Sequence, residues 1–455
     1  MQIDVLLLSD VYHMGFMRSA GPYRISTELN RFGVSCKVIP ILSYLTSSNT
    51  LTTVVESIKP RVLGISTTFL SPELLSLLVV TVAEMKSKEP HMRIVVGGSH
   101  ASVLANVADA TVYGYADSVI ADTVIKLMAG HSGIKNIYNK HTDTFDFSSS
   151  QIAYDHIGIN NEVLPIEIAR GCIFNCAFCS YPLNGKKKID YLKHEPVLLN
   201  ELVSLNSTIG TTSYMFVDDT LNDSTAKIKM LKSIFDRLPY DLTFTSYMRL
   251  DLLASHSEQI SLLQGHVFGA FFGVESMDHS NAKMVGKGMP FMKQIETAWR
   301  IKEQWNCHIT ASFILGLPAD GPDAGDRLME FITSKNNPFD GIHISPLSIA
   351  TKPQMWSSKF EKNPGGYGYD LGKGGYWVNR TNGLDRSYWV KKTSEINAEY
   401  RPRNRYGCWT ACALKNIGWD KFHSHPTLGD LDTMSDQVAF MKQKTINNII
   451  ASLGV

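Results

Sequence analysis

Residues 165–179 read PIEIARGCIFNCAFC, a short β-rich run from Pro165 to Ala169 that passes directly into a loop carrying Cys172, Cys176 and Cys179. Five further strand candidates follow: Tyr214 to Val217, Thr243 to Met248, Phe268 to Val274, Ile309 to Leu315 and Gly341 to Ser345, with helix-length stretches between them. Apolar β-rich runs spaced in this way predict a parallel sheet, because parallel neighbours need a long crossover connection. Six units in succession predict a partial (β/α)6 barrel over 162–349. Barrels of this kind do chemistry at the carboxyl ends of their strands. Here those ends carry Arg170-Gly171-Cys172, Asp218-Asp219, Arg249, Glu275 and Gly316-Leu317-Pro318.

The same alternation precedes the barrel. Val5 to Ser9, Ser35 to Ile39, Val62 to Ser66, Ile94 to Gly97 and Ala110 to Tyr113 are strand candidates, and Gly21 to Phe32, Pro72 to Lys88 and Ala101 to Val107 have helical length. Proline suits a first helical turn, so Ser71-Pro72 marks a helix start. Residues 1–130 therefore read as a doubly wound parallel sheet in an α/β protein. Its strands end in Ser66-Thr67-Thr68 and Gly97-Gly98, where ligands of open parallel sheets lie. Residues 131–161 turn polar and read as a linker or lid. From 350 to 455 the alternation is lost and Gly, Trp and Tyr accumulate, which reads as an irregular C-terminal cap. Trp356, Trp377, Trp389 and Trp409 either line a substrate pocket beneath it or pack it.

A length of 455 residues with 44% hydrophobic content suits two or three soluble domains. Lys+Arg 44 against Asp+Glu 43 leaves a formal charge of +1, without the basic field that holds a polyanion, so a nucleic-acid partner is not expected. The start, MQIDVLLLSD, has an acid where a signal peptide needs basic residues and an apolar run too short for a membrane span; a cytoplasmic, membrane-free protein is expected. Seven cysteines, three of them within eight residues, suggest metal or redox chemistry in a reducing compartment. The other four, Cys36, Cys307, Cys408 and Cys412, read as buried small hydrophobes. Lys186-Lys187-Lys188 reads as a solvated charge run.

Three thiolates can hold three irons of a cubane, leaving the fourth open to an exchangeable ligand. The competing readings are a zinc site short of a ligand and three structural cysteines. C-x3-C-x2-C after the first strand of a six-unit barrel resembles the radical S-adenosylmethionine superfamily. The resemblance implies a 4Fe-4S cluster on Cys172, Cys176 and Cys179 whose open iron binds the amino and carboxylate groups of S-adenosylmethionine. One electron then splits that molecule into methionine and a 5′-deoxyadenosyl radical. It further implies that Phe178 lies against adenine, that Arg249 addresses the cofactor carboxylate, that Glu275 stands near ribose or substrate, and that Gly316 lets backbone approach adenine. Where many members carry Gly-Gly-Glu for the methionine amino group, this chain has Asp218 and Asp219, which could equally cap a helix. Arg249 could equally pair with Asp251.

A doubly wound domain ahead of such a barrel resembles the cobalamin-binding branch, with Ser66, Thr68, Gly97 and Gly98 at its usual loop positions. The branch motif Asp-x-His-x-x-Gly is absent; Asp10, His13 and Gly15 occur with different spacing. The function implied is hydrogen abstraction from an unactivated carbon and methyl transfer from cobalamin, with a small-molecule or peptide substrate and an electron donor such as flavodoxin or ferredoxin. Two alternatives stand beside it: a cobalamin-independent mutase, epimerase or dehydrogenase with a vestigial first domain, and a non-catalytic cobalamin or cluster carrier.

Overall fold

A computed structural model describes residues 2–12, 14–139, 145–181, 183, 191–350, 357–419 and 427–453. His13, Lys186, Lys187, Lys188 and Trp356 lie outside the described residues. The first sheet comprises β1 (Val5–Leu8), β2 (Cys36–Ile39), β3 (Val62–Ser66), β4 (Arg93–Gly97), β5 (Ala110–Gly114) and β6 (Asn136–Asn139). Its order is β2-β1-β3-β4-β5-β6, parallel throughout. Every side chain of β1 is buried, the mark of a strand covered on both faces. The polar stretch read as a linker supplies β6. This strand, NIYN, lies at the sheet edge and is only partly buried, so it lacks an apolar run; Tyr138 stacks on Tyr113 of β5 at 4.7 Å.

The second sheet comprises β7 (Leu164–Ile166), β8 (Ser213–Phe216), β9 (Thr243–Met248), β10 (Val267–Glu275), β11 (His308–Leu315) and β12 (Gly341–Pro346). They pair in sequence order, all parallel, and the ladder stays open between β12 and β7, as a partial barrel requires. β7 is shorter than the run Pro165 to Ala169 suggests. The amides of Ile168 and Ala169 leave the ladder and donate to Asp218 Oδ1 at 2.9 and 3.0 Å.

Beyond 350 the chain is more regular than its composition suggests. It forms a small antiparallel hairpin, β13 (Tyr369–Leu371) and β14 (Trp377–Asn379), and helices that include Arg386–Tyr400, Cys408–Asn416 and Ser435–Leu453. The helix Arg386–Tyr400 hides its periodicity because only Trp389, Thr393, Ile396 and Tyr400 are buried, a narrow stripe on a polar cylinder. Helix Cys408–Asn416 sits between the two sheets: Phe16 N donates to Ala413 O at 3.0 Å, while Ala411 and Leu414 join the core of the first domain. Ile446 and Ile449 of the last helix join that same core. Across the seam, Arg18 meets Glu162 at 2.7 Å with both side chains fully buried. Among the described residues no helix is long and apolar enough to cross a membrane.

Candidate active site

The three cysteines open onto one cavity of about 360 Å³ at the carboxyl ends of β7 to β10, together with Phe178, Asp218, Asp219, Arg249 and Glu275. Gly171 turns the chain into the loop at φ +90°, and a Cβ there would stand 2.8 Å from that of Leu183, so only glycine fits. Cys172 Sγ accepts the Phe174 N–H at 3.4 Å and lies 3.5 Å from Thr220 Oγ1. Burial raises the Cys172 thiol pKa, and these two contacts oppose the shift. Arg249 Nη1 stands 3.6 Å from Cys176 Sγ. Among the described residues no three Cys, His, Asp or Glu side chains converge closely enough for a single metal ion, which is not the arrangement of a mononuclear zinc site.

The adjacent carboxylates part company. Asp218 is buried, accepts the two β7-loop amides and meets Lys227 Nζ at 2.8 Å, so it pins the strand that leads to the cysteines. Asp219 is exposed to the cavity; the protein walls around it, then the nearby Asp218 and Glu167, push it up to about 6. Arg249 makes the expected pair with Asp251, buried rather than at the surface. It is 5% exposed, pairs with Asp251 through Nε at 3.0 Å and Nη2 at 2.6 Å, donates to Gly286 O, and lies 4.0 Å over the Phe174 ring. Glu275 adopts φ +69°, unusual for a residue with a side chain, and meets Lys287 Nζ at 3.3 Å.

Gly316 lies elsewhere. A Cβ at Gly316 would stand 2.8 Å from Trp377 and 2.9 Å from Trp389, and its carbonyl accepts the Tyr369 hydroxyl at 2.6 Å. Trp377 and Trp389 are thus core residues, while Trp409 lines the cavity. Cys408 and Cys412 are buried, and no partner sulfur completes a cluster with them among the described residues.

A second cavity, of about 310 Å³, lies at the loop ends of the first sheet and takes in Ser66, Thr68, Gly97 and Gly98. Gly98 has φ +97° and a Cβ there would strike Thr67 N at 2.9 Å. The far wall belongs to the barrel: Glu167, Arg170 and Val217, the last of which also lines the cysteine cavity. Arg170 bridges the domains, donating to Asp117 at 2.9 Å and Glu167 at 2.8 Å; Arg24 adds a contact to Glu167 at 3.1 Å. Burial alone would raise Glu167, but Arg170 and Arg24 outweigh it and hold the carboxyl down to about 2. No described histidine lines this cavity. A third chamber, about 930 Å³, adjoins the cysteine cavity and shares Phe178, Tyr247, Phe271, Glu275 and Trp409 with it.

No family model matches the chain. A solved structure of the radical S-adenosylmethionine methyltransferase TsrM from Kitasatospora setae, with cobalamin and a [4Fe-4S] cluster bound, superposes with a TM-score of 0.58 over 82% of each chain at 14% identity. The cobalamin-dependent S-adenosylmethionine radical enzyme OxsB gives a TM-score of 0.59 over 73% of this chain and 52% of its own, also at 14% identity. The chain has the fold of the cobalamin-dependent radical S-adenosylmethionine enzymes. Among curated proteins, Hopanoid C-2 methylase of Rhodopseudomonas palustris (strain TIE-1) is 26% identical over 197 residues, 42% of this chain; the chain spans 36% of that relative's length. In this fold Val217, which follows β8, stands in the lining of both cavities. Sequence reasoning missed Lys287 as a neighbour of the site. Arg170, expected at a strand end directly before Gly171-Cys172, lines the second cavity, and Trp409, one of four tryptophans read as pocket or packing residues, lines the first.

Proposed function

We propose that the chain is a radical S-adenosylmethionine enzyme that binds a 4Fe-4S cluster through Cys172, Cys176 and Cys179, binds cobalamin against the first sheet, and methylates an unactivated carbon. The observation that carries this reading is that the cysteine cavity and the Ser66–Gly98 cavity lie on either side of one shared lining residue, Val217. The donor sets fit both groups: three sulfurs beside a cation and an N–H donor suit an anionic thiolate cluster, and small loop residues suit the close approach of a nucleotide tail. Bound there, the two groups would supply one-electron cleavage of S-adenosylmethionine and a methyl group for transfer.

The rest of the work falls to the protein. Arg249, fixed by Asp251 through Nε and Nη2, leaves its Nη1 for the carboxylate of S-adenosylmethionine. Asp219 offers a carboxylate to its amino group, Phe178 an apolar face to its adenine, and Glu275 an acceptor for ribose or substrate hydroxyls. Asp218 acts through the backbone as a positioning residue. Aromatic walls exclude water, which protects a reactive radical from side reactions. The electron comes from outside the chain, from a donor such as flavodoxin or ferredoxin in the cytoplasm, and the substrate is a small molecule or peptide.

The test is anaerobic reconstitution with iron, sulfide and cobalamin, removal of unbound cofactor, and an ultraviolet-visible spectrum beside Cys176→Ala. An iron-sulfur band lost in the variant, with retained corrinoid bands, is the expected result. A wild-type chain without that band overturns the radical reading, and a cluster without corrinoid leaves only the cobalamin-independent one.

A further inference from the structure

Away from the cysteine loop, β11 and β12 turn polar side chains into the chamber. Strand alternation sends Ile309, Ala311, Phe313 and Leu315 into the surrounding core, none more than 4% exposed. It leaves Ser312 facing the chamber, with His343 and Ser345 on the neighbouring strand. Ser312 and His343 are register partners, as are Ile314 and Ser345, so the three polar groups form one continuous patch. Inward positions of parallel barrels ordinarily hold Val, Ile or Leu. Here the imidazole of His343 is exposed to the chamber while Ile342 and Ile344 beside it are each 5% exposed, and no hydrogen bond engages its ring among the described residues.

Aromatic side chains make up much of the remaining wall, with Glu275, Asn404, Arg405 and Thr410 also lining it. Phe178, Tyr247, Phe271 and Trp409 face Tyr12 and Phe69 of the first domain. Phe69 sits at φ +68°, a conformation that is strained for a bulky residue and that clusters at ligand clamps. Its ring meets Tyr12 edge-on at 6.0 Å, and Tyr12 lies 6.1 Å from Trp409. The chamber, about 930 Å³, is at the upper end of the range for organic ligands.

We infer that the substrate is a rigid, mostly apolar ring system bearing a hydrogen-bonding oxygen, which docks on Ser312, His343 and Ser345 while its rings lie against the aromatic walls. The inference rests on the proposed radical reading only in naming this molecule the substrate. Partial enclosure by the chamber lowers the His343 pKa, with Glu275 partly opposing, and the neutral ring this favours presents one donor and one acceptor nitrogen. Such a pair reads a hydroxyl or carbonyl, and a site built to bond an oxygen rejects the analogue lacking it.

Pyrene and 1-hydroxypyrene, which differ by one hydroxyl, test this by fluorescence titration of the reconstituted full chain. Wild type is expected to prefer 1-hydroxypyrene by about fivefold, the effect of one or two net hydrogen bonds. His343→Leu should erase the preference with pyrene affinity changed by less than about twofold, and His343→Gln should retain part of it. Equal affinities in wild type, no binding of either probe, or a preference surviving in His343→Leu would overturn the inference. Cluster absorption in the same samples reports folding; should His343→Leu lose it, Ser312→Ala with Ser345→Ala carries the same comparison. Failure of the radical reading appears separately, as a wild-type spectrum without the iron-sulfur band.

Discussion

Burial pushes the Asp10 carboxyl, at the end of β1, from an ordinary 3.8 up to about 6, with backbone hydrogen bonding at Val11 and the charge of Lys442 holding it back only in part. Its carboxylate accepts the Ser43 hydroxyl and is 5% exposed. Because the folded value lies above the unfolded one, the contribution of this group is fully present below about pH 4 and is lost as pH rises through 6. A shift of that size makes the loss about 2 kcal/mol between pH 4 and 7. Urea denaturation of wild type and Asp10→Asn across that range should show their stability difference changing by this amount, the variant gaining relative to wild type as pH rises. A difference independent of pH would mean that Asp10 is ionised in the fold throughout.

At the scale of elements, helix Cys408–Asn416 is a wedge that both sheets need. Met17 from the first domain and Met215 of β8 share a small core with Cys412 and Ala413. The approach is close enough that Gly15, at φ +146°, has no room for a side chain: a Cβ there would stand 2.5 Å from the Ala413 carbonyl oxygen. That atom belongs to a helix backbone and cannot step aside. Gly15→Ala is therefore expected to cost about 2 kcal/mol or more. Gly33, at φ +77° with nothing within 4 Å of its Cβ position, supplies the control, since Gly33→Ala bears only backbone strain of about 1–2 kcal/mol. Urea midpoints read both, and equal costs would refute the wedge.

Across the whole molecule, Arg170 ties the cysteine loop to the first domain. It lies under the rings of Tyr115 and Phe147, at 5.1 and 4.8 Å, and divides its guanidinium between Asp117 and Glu167. Arg170→Met leaves the buried Asp117 and the partly buried Glu167 with Arg24 in contact and Lys193 nearby, and breaking a pair of this kind costs up to about 3–5 kcal/mol. Because Arg170 precedes Gly171-Cys172, the variant is also expected to retain less iron per chain after reconstitution and desalting. Unchanged stability and iron content would show that the bridge is dispensable.

Much of this architecture could be read locally. All eleven expected strands exist, because a buried parallel strand advertises itself as a short apolar run; β3, β9 and the helix Pro72–Lys88 have the expected bounds. The spacing of Cys172, Cys176 and Cys179 after a strand placed them on one cavity, since strand ends of parallel sheets share an edge. The edge strand β6 escaped because polar residues suffice where one side meets water. Other assignments needed the folded chain. Asp218 and Asp219 are identical in type and adjacent, and only the placement of Lys227 and the β7 amides decides which is buried and which faces the cavity. Gly316 looked like a cofactor turn until the hairpin of β13 and β14 and the helix after it brought Trp377 and Trp389 over it. The alternation of polar and apolar residues on β11 is written in the chain, but whether its polar face meets water, core or ligand is decided by Tyr12, Phe69 and Trp409. Tyr12 and Phe69 arrive from more than two hundred positions away and Trp409 from beyond β12, and periodicity reports only on neighbours.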